Sequence, residues 1–230
     1  MNTVVIVPYR NREKHLFNLL ECLKHRFKDH TQRTCHVFVA EQNNNEAFNC
    51  GLMKNNGFMF AIKYMKKNYD LDVQQVVFND VDCWIESNEA FNYYTAECSN
   101  KSINHLYGRN FCLGGIFSVR SEDFINSNGF PNSYLAWGGE DNVLETRLRN
   151  LGVYRNNHKV VYERHQGKSH ITEDAEHERD MSHREENERK WKNNEDRTGI
   201  SDLSNMNIDT IESKHMLLSY NIWYHHIKFS

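Results

Sequence analysis

Three short apolar runs, Thr3–Pro8, Cys35–Ala40 and Gln75–Phe78, alternate with two longer stretches whose apolar residues recur at helical spacing. Runs this short and this rich in β-branched residues read as strands buried on both faces. Within Asn11–Phe27, Leu16, Leu19, Leu20, Leu23 and Phe27 form a helical stripe. Within Glu46–Met65, Ala47, Phe48, Leu52 and Met53 precede Phe58, Phe60, Ala61 and Met65, which reads as two helices broken at Asn56-Gly57. A strand–helix–strand–helix–strand order predicts an α/β fold with a mainly parallel central sheet and helices on both faces.

The second half changes character. Gly114–Val119 reads as a strand, Ser121–Asn128 as a short capped helix and Gly139–Asn150 as a longer helix. Asn156–Tyr162 is expected to include a short strand, and Leu217–Phe229 to return to the sheet. Residues 163–197 are polar and dense in charge. At 230 residues and 39% hydrophobic content, one domain with one sizeable core is expected.

A net charge of −3 with both signs interspersed shows no basic stripe, so nucleic acid is not an expected partner. No apolar run approaches the roughly 20 residues of a membrane span, and no signal peptide is visible. The chain therefore reads as soluble and cytoplasmic. Its six Cys (22, 35, 50, 83, 98, 112) contain no Cys-x-x-Cys and read as free thiols.

Two acidic motifs carry the chemistry. Asp80-Val81-Asp82 follows the third strand, and ligands of open α/β sheets bind outside the carboxyl ends of strands. Paired carboxylates there suit Mg²⁺ or Mn²⁺ with positions left for phosphate oxygens; the same residues also suit a solvated turn or a helix cap. Trp137-Gly138-Gly139-Glu140-Asp141 sets a carboxylate pair behind a flexible turn. Those carboxylates can supply a general base and a substrate contact, or simply cap the helix they open. Trp137 reads as a flap that stacks on a sugar, or as a core residue. Arg10 and Arg12, past the first strand, suit phosphate recognition or surface charge. His165 is a candidate imidazole ligand, with His170, His177 and His183 competing. Together these features point to a transferase that uses a sugar nucleotide.

The same stretches, taken in order, resemble glycosyltransferase family 7, the β-1,4-galactosyltransferase family. Pro8-Tyr9-Arg10-Asn11-Arg12 with His15-Leu16 is similar to its opening Pro-Phe-Arg-Asn-Arg…His-Leu, and Phe48-Asn49 with Gly57-Phe58 to its Phe-Asn-Arg and Val-Gly-Phe. Asp80-Val81-Asp82, Gly114-Gly115, Asn128-Gly129-Phe130-Pro131-Asn132, Trp137 to Asp141, Arg164-His165 and Thr198-Gly199-Ile200 follow collinearly. The resemblance implies a GT-A fold, 1–230 as a single catalytic domain, and inverting transfer of galactose or GalNAc from a UDP-sugar. Residues 1–85 would form the nucleotide-binding half and 86–230 the acceptor-binding half, with a mobile lid at about 163–185. Pro8, Tyr9, Arg10, Arg12, Phe48, Asp80, Val81, Asp82, Gly115 and Trp137 would bind donor. Asp82 and His165 would hold Mn²⁺ (or Mg²⁺), with Tyr162 and His170 as further candidates. Trp137, Glu140, Asp141 and Asn142 would meet a glycan or monosaccharide acceptor, with Asp141 as base. Without stem or anchor, this would be a catalytic domain alone. A degenerate nucleotide- or glycan-binding module and a metal-dependent hydrolase are the competing functions.

Departures from the family pattern are specific. Tyr162 stands for the family's Met ligand, Asn142 for a third acidic residue and Cys50 for the Arg after Phe-Asn. Gln75 stands where one Cys of the family's disulfide would be. Cys112 stands for the aromatic gatekeeper before the Gly pair, which makes room at the sugar C2 substituent and predicts tolerance of UDP-GalNAc beside UDP-galactose. Gly115-Ile116-Phe117-Ser118-Val119 also resembles polypeptide GalNAc-transferases.

Overall fold

The computed structural model describes residues 2–28, 35–156, 162–163, 171–173, 179–203, 208–215 and 222–230. The first half runs β1 (Thr3–Tyr9), α1 (Glu13–Phe27), β2 (Cys35–Gln42), α2 (Cys50–Tyr69), β3 (Gln75–Asn79) and β4 (Cys83–Ile85). It continues through α3 (Asn88–Tyr94), β5 (Ser102–Gly108), β6 (Ile116–Arg120), α4 (Ser121–Asn126), α5 (Glu140–Asn150) and β7 (Tyr154–Arg155). The remainder adds β8 (Tyr162–Glu163), β9 (Ile171–Glu173), α6 (Arg184–Asn193), β10 (Ile208–His215) and β11 (Ile222–Phe229). Among the described residues the main sheet has the order β10-β11-β2-β1-β3-β6-β5-β7, with β8 also on β5. Strands β11, β2, β1 and β3 are mutually parallel; β6 then runs antiparallel to β3.

Strand alternation divides the core between the two sheet faces. Val4 and Ile6 join Phe38, Phe78 and the inward faces of α2, α4 and α5. Val5, Val7 and Tyr9 join Leu16, Leu19, Leu23 and Phe27 of α1. The six cysteines are all free. No helix of the described residues is long and apolar enough to cross a membrane.

Two sequence expectations are corrected, and a third lies partly outside the described residues. Asn56-Gly57 does not break a helix; α2 is continuous, from the Asn49 cap that accepts the Leu52 N–H to a left-handed Asp70. Gly57 is a close-approach residue, because a Cβ there would sit 2.8 Å from Ile6 Cγ2 and 3.0 Å from Ala40 Cβ. Helix α4 begins at Ser121 with no side-chain cap and ends at Asn126, before Asn128 and Gly129 turn to positive φ. Strand β11 begins at Ile222; residues 217–221 of the expected strand lie outside the described residues, as do 157–161 of the expected strand ending at Tyr162.

Topology places the motifs. Because β6 enters antiparallel beside the end of β3, Gly115 meets Asp80: the Asp80 N–H donates to the Gly115 carbonyl at 2.9 Å, and the Gly115 N–H donates back to Asp80 Oδ2 at 2.9 Å. The close packing of α2 yields a stability test. An Ala in a helix normally gains about 1 kcal/mol over Gly, yet overpacking costs about 1–3 kcal/mol. Gly57→Ala is expected to lower Tm by up to about 8 °C in a thermal melt, against the rise that helix propensity alone would give.

Candidate active site

Helix α2 is the element that gathers the site. Asn49 Nδ2 donates to the Asn132 carbonyl at 2.7 Å, and Asn55 exchanges bonds of 2.8 and 3.0 Å with the Phe130 backbone. These bonds fix the turn that leads to Trp137 and α5. Gly139, at φ 98°, lies against the Tyr134 ring, where a Cβ would come within 2.8 Å. Glu140 and Asp141 then occupy the first turn of α5, where carboxylates suit the helix dipole.

Between the two acidic motifs sits Lys54, with only 1% of its side chain exposed. Its Nζ is 3.1 Å from Asp80 Oδ1 and 3.5 Å from Asp141 Oδ1. The sequence motifs from β3 and α5 therefore converge on one ammonium. Sequence reasoning missed Lys54; the signal was a polar run, Lys54-Asn55-Asn56, inside an otherwise apolar helix face. Burial alone would lower the Lys54 pKa, but Asp141 and then Asp80 outweigh it and hold the ammonium well charged.

The carboxylates respond to crowding. Burial, then Asp141, pushes Glu140 up to about 8. Burial also raises Asp141, with Lys54 opposing the rise. Asp82 is raised by burial and by Asp80, against the pull of Arg12, whose Nη1 lies 3.1 Å from Asp82 Oδ2. Strand β9 pairs with β4 and sets Glu173 opposite Cys83, where its charge adds to the field on Asp82. The Cys112 thiol is raised to about 12 by burial and then by Asp141, so it is no nucleophile. Gly114 stands between them; a Cβ there would be 2.9 Å from Asp141 Oδ2 and 3.9 Å from Cys112 Sγ.

On the nucleotide side, the Arg10 guanidinium lies over the Phe48 ring at 5.2 Å and donates to the Glu46 carbonyl. Pro8, Tyr9 and Val81 are buried, Tyr9 and Val81 in the core beside α1. Trp137 is 37% exposed, with Arg179 and Arg184 guanidinium carbons 5.1 and 5.8 Å from its ring centroid. Its N–H donates to the Asp180 carbonyl at 3.1 Å, and the Ala136 N–H donates to the Phe48 carbonyl at 2.8 Å. Asn142 turns away, donating to the Phe111 carbonyl at 2.8 Å. Of the expected metal ligands, Asp82 is placed; His165, His170 and the Tyr162 side chain lie outside the described residues. Among the described residues no group of three His, Cys, Asp or Glu is arranged around a metal position. Asp82 supplies a carboxylate oxygen of the kind that a hard divalent cation takes.

Comparison with known proteins agrees with this arrangement. Residues 1–98 match the N-terminal region of glycosyl transferase group 7, and 96–177 match the N-terminal domain of galactosyltransferase. Two solved structures of Drosophila β-1,4-galactosyltransferase 7 superpose with TM-scores of 0.73 and 0.72, each at 21% identity over 99% of this chain and 93% of that one. One is a catalytic domain in complex with xylobiose; the other is a mutant in complex with manganese, UDP-Gal and xylobiose. The fold is thus GT-A, a single α/β domain with a largely parallel central sheet. The chain belongs to the group 7 glycosyltransferase family. Mouse (Mus musculus) β-1,4-galactosyltransferase 4 is 35% identical over 153 residues, 63% of this chain and 41% of that protein. Pig (Sus scrofa) β-1,4-galactosyltransferase 5 is 35% identical over 156 residues, 64% of this chain and 38% of that protein. The matched stretch thus spans about two fifths of these relatives' length.

The raised Glu140 gives a pH test. The folded chain holds this proton up to about pH 8, whereas an unfolded Glu releases it near 4.5. Between those values the folded state binds more protons, so the Glu140 contribution to stability falls as pH rises. Glu140→Gln is expected to gain Tm relative to wild type between about pH 5 and pH 8, read by parallel melts.

Proposed function

We propose that the chain is an inverting, metal-dependent glycosyltransferase that moves galactose or GalNAc from a UDP-sugar to a sugar hydroxyl. The observation that carries this reading is Lys54 in contact with both Asp80 and Asp141, which sets the acidic step after β3 and the acidic start of α5 on one cleft. The names of the relatives and the ligands of the Drosophila enzyme agree with it.

Arg10, Phe48 and Arg12 hold the nucleotide, Phe48 as a face for the base and the guanidinium groups toward phosphate. Asp82, with His165, would hold manganese, which neutralises charge on the departing UDP when bound. Asp80, fixed by Lys54 and by the Gly115 N–H, orients the donor sugar. Asp141 takes the proton of the acceptor hydroxyl as that oxygen bonds to the anomeric carbon. The bond to UDP breaks on the opposite face, so a single displacement inverts the centre. Glu140, protonated below about pH 8, can donate a hydrogen bond to the acceptor. Trp137 covers the sugar, and the segment at about 163–185 closes over both substrates to exclude water.

A panel of UDP-sugars with Mn²⁺, crossed with monosaccharide acceptors, tests this directly. UDP release is expected to depend on acceptor; release to water alone would indicate a hydrolase, and no release a binding module. Asp141→Asn is expected to lower kcat by about 10²–10⁴-fold with donor KM nearly unchanged. Cys112 lies beside Asp141, and a thiol takes less space than the aromatic ring it stands for, which favours a donor with a C2 acetamido group. Cys112→Tyr is therefore expected to lower kcat/KM for UDP-GalNAc relative to UDP-galactose; an unchanged ratio contradicts the gatekeeper assignment.

A further inference from the structure

Lys54 is an expensive residue in its place. An ammonium withdrawn to 1% exposure loses hydration worth several kcal/mol, repaid only by close counter-charges. Packing does not require it: Met53, Phe58, Ala61 and Met65 already seat α2 on the sheet. Its two partners are carboxylates with 29% and 18% of their side chains exposed. Asp80 is also held at its second oxygen. Asp80 Oδ2 accepts the Gly115 N–H, and Asp141 Oδ2 faces the bare backbone of Gly114. The ammonium takes Oδ1 of each acid, so Asp141 Oδ2 is the oxygen left beside Gly114 and Cys112.

We propose that Lys54 is a positioning residue for proton removal, tying Asp141 to Asp80 so that one Asp141 oxygen stays presented to the acceptor hydroxyl. The role rests on Asp141 acting as the base, and it extends that reading to the group that holds the base in place. The charged and titratable groups that face Asp141 are Cys50 and Lys54 from α2, Asp80 after β3, Cys112 before β6, and Glu140 and Glu145 of α5. Lys54 is the cation among these, so its removal leaves Asp141 amid acids and thiols.

Steady-state kinetics of the full chain with Mn²⁺, UDP-galactose and a reactive acceptor decide the matter, using Lys54→Met, Lys54→Gln, Lys54→Arg and Asp141→Asn. Lys54→Met is expected to lower kcat by about 10–100-fold, and to raise donor KM and lower Tm as well, because Asp80 loses the same ammonium. The acid limb of its kcat/KM profile is expected to move up by about one pH unit, because the lost cation favoured the ionised base. Lys54→Arg is expected to restore most of kcat. Should Lys54→Met fail to fold, Lys54→Gln carries the same comparison. A Met or Gln variant with wild-type kcat and an unmoved acid limb overturns the proposal, as does equal loss in the Arg and Gln variants, which would mark packing rather than charge. Full activity in Asp141→Asn would instead overturn the base itself, a distinguishable failure.

Discussion

A buried ammonium has to be answered by charge, and in this fold Lys54 is answered by two aspartates from distant parts of the chain. The rest of the cleft is arranged around that contact. Helix α2 is a single rod, pressed onto β1 and β2 at Gly57, bonded to the 130–132 turn by Asn49 and Asn55, and holding both acids by Lys54. One helix therefore fixes the sheet, the 130–132 turn and the two acidic motifs relative to one another. A break at Asn56-Gly57 would have separated these three contacts.

The carboxylates divide into two electrostatic neighbourhoods. Around Asp141, Lys54 offsets the crowding and favours an ionised base beside a protonated Glu140. Around Asp82, burial and then Asp80 raise the carboxyl against the pull of Arg12, and Glu173 adds to the rise.

Much of this was legible in the sequence because it rests on local pattern. The strands β1, β2 and β3 followed from short β-branched runs, and α1 from its stripe. The acidic motifs stood out by composition, and the carboxyl-end rule for open sheets pointed to Asp80-Val81-Asp82 as a ligand site. What escaped reading depends on partners remote in sequence. Gly57 reads as a helix breaker until Ile6 and Ala40 are seen against it. Strands β4, β5, β9 and β10 are short or polar and take their form from pairing. Lys54 escaped notice, because nothing local says that it points inward at acids after β3 and in α5.

A crystal structure of the chain with manganese and UDP-galactose tests the central claim most directly. The account predicts the metal on Asp82, the galactose between Asp80 and Asp141, and the Lys54 ammonium within about 4 Å of both carboxylates. A donor seated elsewhere, or an Asp141 turned away from Lys54 and from the sugar, would contradict it.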